Sequence, residues 1–174
     1  MDYQPRSTGR PPSPVEPTGF FTGVRVRPVI VGVVVDYIAT YAAMYAYFFV
    51  YLANELSKRG EVSPEVIAEY MFTDEGLMIG FVIGALGTAL GGFVAARRAG
   101  KLEIKHGAFV GLGSLILSAI EQAMQDEPTV LPEWFRLLSV LSIIPAGALG
   151  GYVAEMFKSI GGRAPGGGRP ALTR

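Results

Sequence analysis

Asp36 is the only charged residue between Pro28 and Asn54, and its place in that run suits proton or cation chemistry. Read as a helix, the run puts Asp36 eight residues past Pro28, about 12 Å along the axis. An ionised carboxylate at that depth of a bilayer costs about 3 kcal/mol or more unless it is paired, hydrated or protonated. Such an acid marks a pathway or a binding position by default. Three roles are open: proton relay, cation ligand, or centre of a hydroxyl network with Thr40, Ser114 and Ser118. The structural alternative is a protonated carboxyl that fixes helix packing through hydrogen bonds. No other acid is expected at its depth.

Tyr37, Tyr41 and Tyr45 recur every four residues around Asp36, with Tyr47, Phe48, Phe49 and Tyr51 continuing the series. Such a seam suits a pigment, quinone or lipid along the first helix, and equally a lipid-facing or interhelical contact. His106, the single histidine, stands beside Lys105 and reads as a surface residue. Glu121 and Glu155 read as ordinary interfacial charges, with Glu155 meeting Arg97 or Lys158. The chain has no cysteine, which excludes disulfides, thiolate nucleophiles, iron–sulfur ligation and cysteine lipidation. One imidazole without a thiolate cannot assemble a zinc site, and haem ligation would need a partner chain. No acid–base pair or nucleophile constellation appears. We therefore expect no enzyme, no metal, no cofactor and no nucleic-acid partner.

The elements that position these residues are read from long uncharged runs. Gly76–Ala96 and Leu137–Ala154 carry no charge, and each is about the 20 residues a helix needs to cross the hydrocarbon core. Pro28–Asn54 carries only Asp36. The stretch between His106 and Glu121 is shorter, and becomes a span if Lys105 snorkels at one end. The fold class is thus an all-α membrane protein of four transmembrane helices, at about 28–54, 76–97, 105–124 and 133–157, within a domain of 23–160. Residues 1–22 and 161–174 are rich in Pro, Gly, Ser, Thr and Arg and are expected to be disordered tails.

Charge separation orients the spans. Arg6, Arg10, Arg25, Arg27, Arg97, Arg98, Lys101, Lys105, Lys158, Arg163, Arg169 and Arg174 fall on one side. Only Lys58, Arg59 and Arg136 fall on the other, among Glu55, Glu61, Glu65, Glu69, Asp74, Glu75, Asp126, Glu127 and Glu133. Cations resist translocation, so both termini are expected in the cytoplasm. The loop Glu55–Glu75 holds Ser63-Pro64-Glu65, a helix-start signal, with Val66, Ile67, Tyr70 and Met71 able to form one face of a short surface helix. A plain connector fits that short pattern as well.

An internal repeat joins the second and fourth spans. Ala89-Leu90-Gly91-Gly92-Phe93-Val94-Ala95 aligns with Ala148-Leu149-Gly150-Gly151-Tyr152-Val153-Ala154. This predicts two helical hairpins in the same orientation, a parallel repeat about an axis along the membrane normal. Small residues four apart let helix backbones approach closely, so Gly80, Gly84, Gly87, Gly91, Gly107, Gly111, Gly147 and Gly151 are candidate packing positions. A surplus stripe would face another subunit. Pro145 offers no backbone N–H and is expected to kink the fourth span.

The segment Gly91-Gly92-Phe93-Val94-Ala95-Ala96-Arg97-Arg98-Ala99-Gly100-Lys101, followed by His106-Gly107 and Gly111, resembles a pattern in small bacterial integral membrane proteins of four helices. The resemblance covers the second and third spans. It implies a bacterial cytoplasmic (inner) membrane and no catalytic residue. The resulting expectation is a non-enzymatic accessory or scaffold subunit, packed in the bilayer against itself or other membrane subunits. The alternative is a small ion- or proton-coupled channel or transporter using Asp36.

Overall fold

The computed structural model describes residues 19–59, 63–125 and 131–161. They form five helices: α1 (Val26–Arg59), α2 (Pro64–Met71), α3 (Asp74–Ala99), α4 (Glu103–Ala123) and α5 (Glu133–Gly161), with no strand among the described residues. All except α2 are long and apolar enough to cross a membrane. The helix α1 runs past the uncharged stretch into Lys58 and Arg59, because good helix formers there carry the backbone beyond the apolar run.

Local signals define the ends. At the start of α3 the Thr73 Oγ accepts from the Gly76 N–H at 3.1 Å and donates to the Tyr70 carbonyl at 2.7 Å. Asp74 and Glu75 in the first turn, and Arg97 and Arg98 in the last, suit the helix dipole. Gly100, at φ 70°, closes α3 with its N–H on the Ala96 carbonyl, the left-handed cap that lets the chain turn at once into α4.

The helix α3 packs against α1, α4 and α5; α4 packs against α5 and, over less of its length, α1. The two outer helices, α1 and α5, thus flank a central pair. One end of the bundle carries Arg25, Arg27, Arg97, Arg98, Lys101, Lys105 and Lys158, and we call it the basic end. The other carries α2 with Glu65 and Glu69, together with Glu55, Asp74, Glu75 and Glu133, the acidic end.

Burial is concentrated toward the basic end, where Ala95, Ala96, Ala99, Val110, Ala146 and Ala154 form the apolar core. The backbones there touch. A Cβ on Gly91 would sit on the Gly32 carbonyl of α1, and one on Gly92 would meet Gly147 of α5. Gly107 and Gly147 oppose one another across α4 and α5, Gly111 lies on Ile143, and Gly151 lies on Glu103. Close approach of this kind replaces the missing hydrophobic drive with dispersion between backbones.

The aligned glycine pairs do not make aligned contacts. In α3 the first glycine faces its hairpin partner α1 and the second crosses to α5. In α5 the first, Gly150, crosses to Ala89 of α3 and the second faces its hairpin partner α4. The helix α5 also passes through Pro145 as one continuous element, leaving the Leu141 carbonyl without the N–H it would ordinarily accept.

Of the two stretches expected to be disordered, 1–18 and 162–174 lie outside the described residues. Residues 19–22 form a turn in which the Thr22 N–H donates to the Gly19 carbonyl at 3.0 Å. Phe20 and Phe21 pack against Phe109 with tilted rings at 5.1 and 5.5 Å, and the Lys105 ammonium donates to the Thr22 carbonyl at 3.0 Å.

At the acidic end, α2 starts with Pro64 at its first turn and holds Tyr70 flat against Tyr51, with ring centroids 4.1 Å apart. The Tyr70 and Tyr47 hydroxyls share a 2.5 Å hydrogen bond. Burial and then the Tyr47 contact push the Tyr70 phenol above its ordinary range. The Ser63 hydroxyl holds the Glu65 carboxyl below its own.

Candidate functional site

Counted from the basic end, Asp36 is ten residues into α1, Thr88 eleven from the end of α3, and Ser114 eleven into α4. At helical rise each lies about 15 Å deep, so the three side chains meet at one level. Asp36 is 4% exposed. Its Oδ2 accepts the Ser114 hydroxyl at 2.6 Å and the Thr88 hydroxyl at 3.0 Å, and its Oδ1 accepts the Thr40 hydroxyl at 3.2 Å. Three helices thus place O–H donors around one carboxylate, and no described buried side-chain oxygen or nitrogen is left without a partner.

Asp36 lies on the wall of a cavity of about 250 Å³ that extends from this level toward the acidic end between all four long helices. Residues one helical turn apart build each wall. The helix α1 contributes Tyr37, Thr40 and Tyr41; α3 contributes Gly80, Phe81, Gly84 and Thr88; α4 contributes Ser114, Ser118 and Glu121; α5 contributes Phe135, Ser139 and Ser142. Spacings of three and four residues keep each set on one helix face.

Several expectations change against this geometry. Glu121 is not a plain interfacial charge: it is exposed at the cavity margin and accepts the Tyr37 hydroxyl at 3.3 Å. A second acid therefore shares the cavity with Asp36. A Cβ on Gly84 would find no atom within 4 Å, and one on Gly80 would meet only the flexible end of Met44. Both glycines line the cavity; Gly84 makes no helix contact there, whereas Gly80 stays close to Met44 of α1. Gly87 lies between, against Thr40 and Asp36. In the aromatic seam, Tyr37 and Tyr41 line the cavity with ring centroids 6.0 Å apart, while Tyr45 is 73% exposed.

His106 is fully buried rather than a surface residue. Its Nδ1 donates to the Leu102 carbonyl at 2.9 Å and its Nε2 accepts the Arg25 N–H at 2.9 Å, ties that only the neutral ring makes together. They hold Leu102, which has a left-handed φ of 52°, and the segment entering α1. Lys158 pairs with the buried Glu103 at 2.6 Å and donates to the Gly100 carbonyl at 2.7 Å, whereas Glu155 stays exposed. The α3–α4 turn is thereby clamped from two sides.

Thr88, Ser139, Ser142, Phe81 and Phe135 are the site residues that reading along the chain passed over. A signal for Thr88 was present: it is the only hydroxyl in the run Gly76–Ala96. Among the described residues no group of three or more His, Cys, Asp or Glu side chains is placed to hold a metal ion. No family model, curated protein or solved structure matches the chain.

Proposed function

We propose that this chain admits a cation to the Asp36 cavity and serves as a small ion- or proton-coupled transporter or channel of a bacterial cytoplasmic membrane, with both termini in the cytoplasm. The observation that carries the reading is a buried carboxylate at mid-depth, held by hydroxyls from three helices and facing a cavity that reaches Glu121. An acid kept at that depth is costly, and using it to receive positive charge offsets the cost. Backbone contacts close the basic half, so passage across the membrane requires α1, α3 and α5 to part there. Pro145 and the adjacent Gly147 supply a point where α5 can bend.

The cation-rich end supports the orientation. A cysteine replacing Lys101, unique in a chain without others, should resist a membrane-impermeant maleimide in intact cells; one replacing Glu69 should react. The transport reading is tested in proteoliposomes holding the full chain and a cation-sensitive dye. Wild-type protein should dissipate an imposed cation gradient faster than empty liposomes, and Asp36→Asn should match the empty ones. Equal flux in wild type and variant would end the proposal.

A second reading, an accessory or scaffold subunit without enzymatic activity, has its own observation. Ile30, Val34, Ile38, Tyr45 and Phe49 form an exposed stripe along α1. Lipid, quinone, pigment, a second copy or another membrane subunit would cover it. Mass measurement in mild detergent decides: a lone monomer with no companion argues against the scaffold.

A further inference from the structure

We infer that the ligand of the Asp36 cavity is a small organic ammonium cation, a primary amine or quaternary ammonium, rather than a bare metal ion or a proton alone. This rests on the reading of Asp36 as a cation site and narrows it. Calcium-like ions take six or more oxygens at about 2.4 Å, including several carboxylates or carbonyls. Here one carboxylate stands at mid-depth with its oxygens already accepting three hydroxyls, and no described group of acids converges on a point. An ammonium needs less: one anion at hydrogen-bond or ion-pair distance and room for its carbons.

The cavity also has the size for an organic cation. A cavity of about 150 Å³ already accepts a benzene ring. The present one, about 250 Å³, is far larger than a bare ion and fits a molecule of several carbon atoms. Tyr37, Tyr41, Phe81 and Phe135 border the same space as Asp36. Aromatic faces attract organic cations through their quadrupoles. A metal ion that keeps its water shell gains little from such a lining. Glu121 at the margin and the acidic end beyond it raise the local concentration of cations of any kind.

Gly84 makes the test clean. A Cβ added there meets nothing within 4 Å and Gly84 lines the cavity, so Gly84→Leu directs its side chain into that space. The full chain in mild detergent at low salt is titrated calorimetrically with tetramethylammonium, propylammonium or sodium chloride, alongside Asp36→Asn and Gly84→Leu. Saturable heat is expected with an organic cation, weakened about thirtyfold or more by Asp36→Asn, as loss of one partner of a buried charge pair would do. Gly84→Leu should weaken it comparably by exclusion, and serves alone if Asp36→Asn does not fold. Asp36-dependent binding of sodium without any organic cation would overturn this inference and leave the cation-site reading standing. Organic-cation binding unchanged in both variants would overturn it as well. Loss of nothing at all on Asp36→Asn, with every cation tried, would remove both.

Discussion

The two ends of α3 use the same residue to opposite effect. Toward the basic end, Gly91 and Gly92 bring backbones from α1 and α5 into contact. Toward the acidic end, Gly84 faces open space and Gly80 meets one flexible methyl, so the missing side chains become cavity. The difference lies in the neighbours. Gly32 and Gly147 oppose the first pair, whereas only the Met44 methyl of α1 comes near the second. A glycine in a membrane helix therefore has no fixed meaning. What stands across from it decides whether it is a seam or a space.

The largest expected effect breaks the packed half. Gly147→Leu forces a side chain into the Gly107 backbone and should cost about 3 kcal/mol or more, read as a lost or lowered thermal transition in detergent. Thr88→Val, at the boundary of the halves, removes one donor to Asp36 and should cost about 1 kcal/mol in the same assay. Glu103→Gln weakens the clamp on the α3–α4 turn by about 1 kcal/mol, with the loss shrinking at high salt because Lys158 is largely exposed. Gly84→Ala should be the mildest and of opposite sign, a gain of about 0.5 kcal/mol from helix propensity, since the cavity half has room for it. A large loss there would erase the contrast between the two halves.

Beyond the bundle, Tyr70 sets a pH limit on the acidic end. Its folded phenol is raised above the ordinary value, so its contribution is complete below about pH 10 and is lost as pH rises toward the folded value. Tyr70→Phe should remove that alkaline component from thermal melts, and should lower the melts at neutral pH by the lost hydrogen bond to Tyr47.

The four long helices were legible in the residues because charge-free length is a local property and a bilayer-sized run announces itself. Asp36 was legible for the same reason: one charge in an apolar stretch needs no partner to be noticed. Its company was not. Thr88 and Ser114 lie 52 and 78 residues away, and only the way α1, α3 and α4 align in depth brings their hydroxyls onto one carboxylate. Reading along the chain likewise placed His106 at the surface, since burial of that ring depends on the segment around Arg25 folding over it.

Composition and spacing thus determined how many long apolar helices there are, where their charges lie, and that one acid is sunk among apolar residues. Tertiary structure alone decided which glycines touch, where the helices part, and that Glu121 opens onto the same cavity as Asp36. The physical reason is that helix formation and hydrophobicity are summed over neighbours in sequence, whereas contact, cavity and hydrogen-bond partnership depend on the rotation and depth of one helix against another.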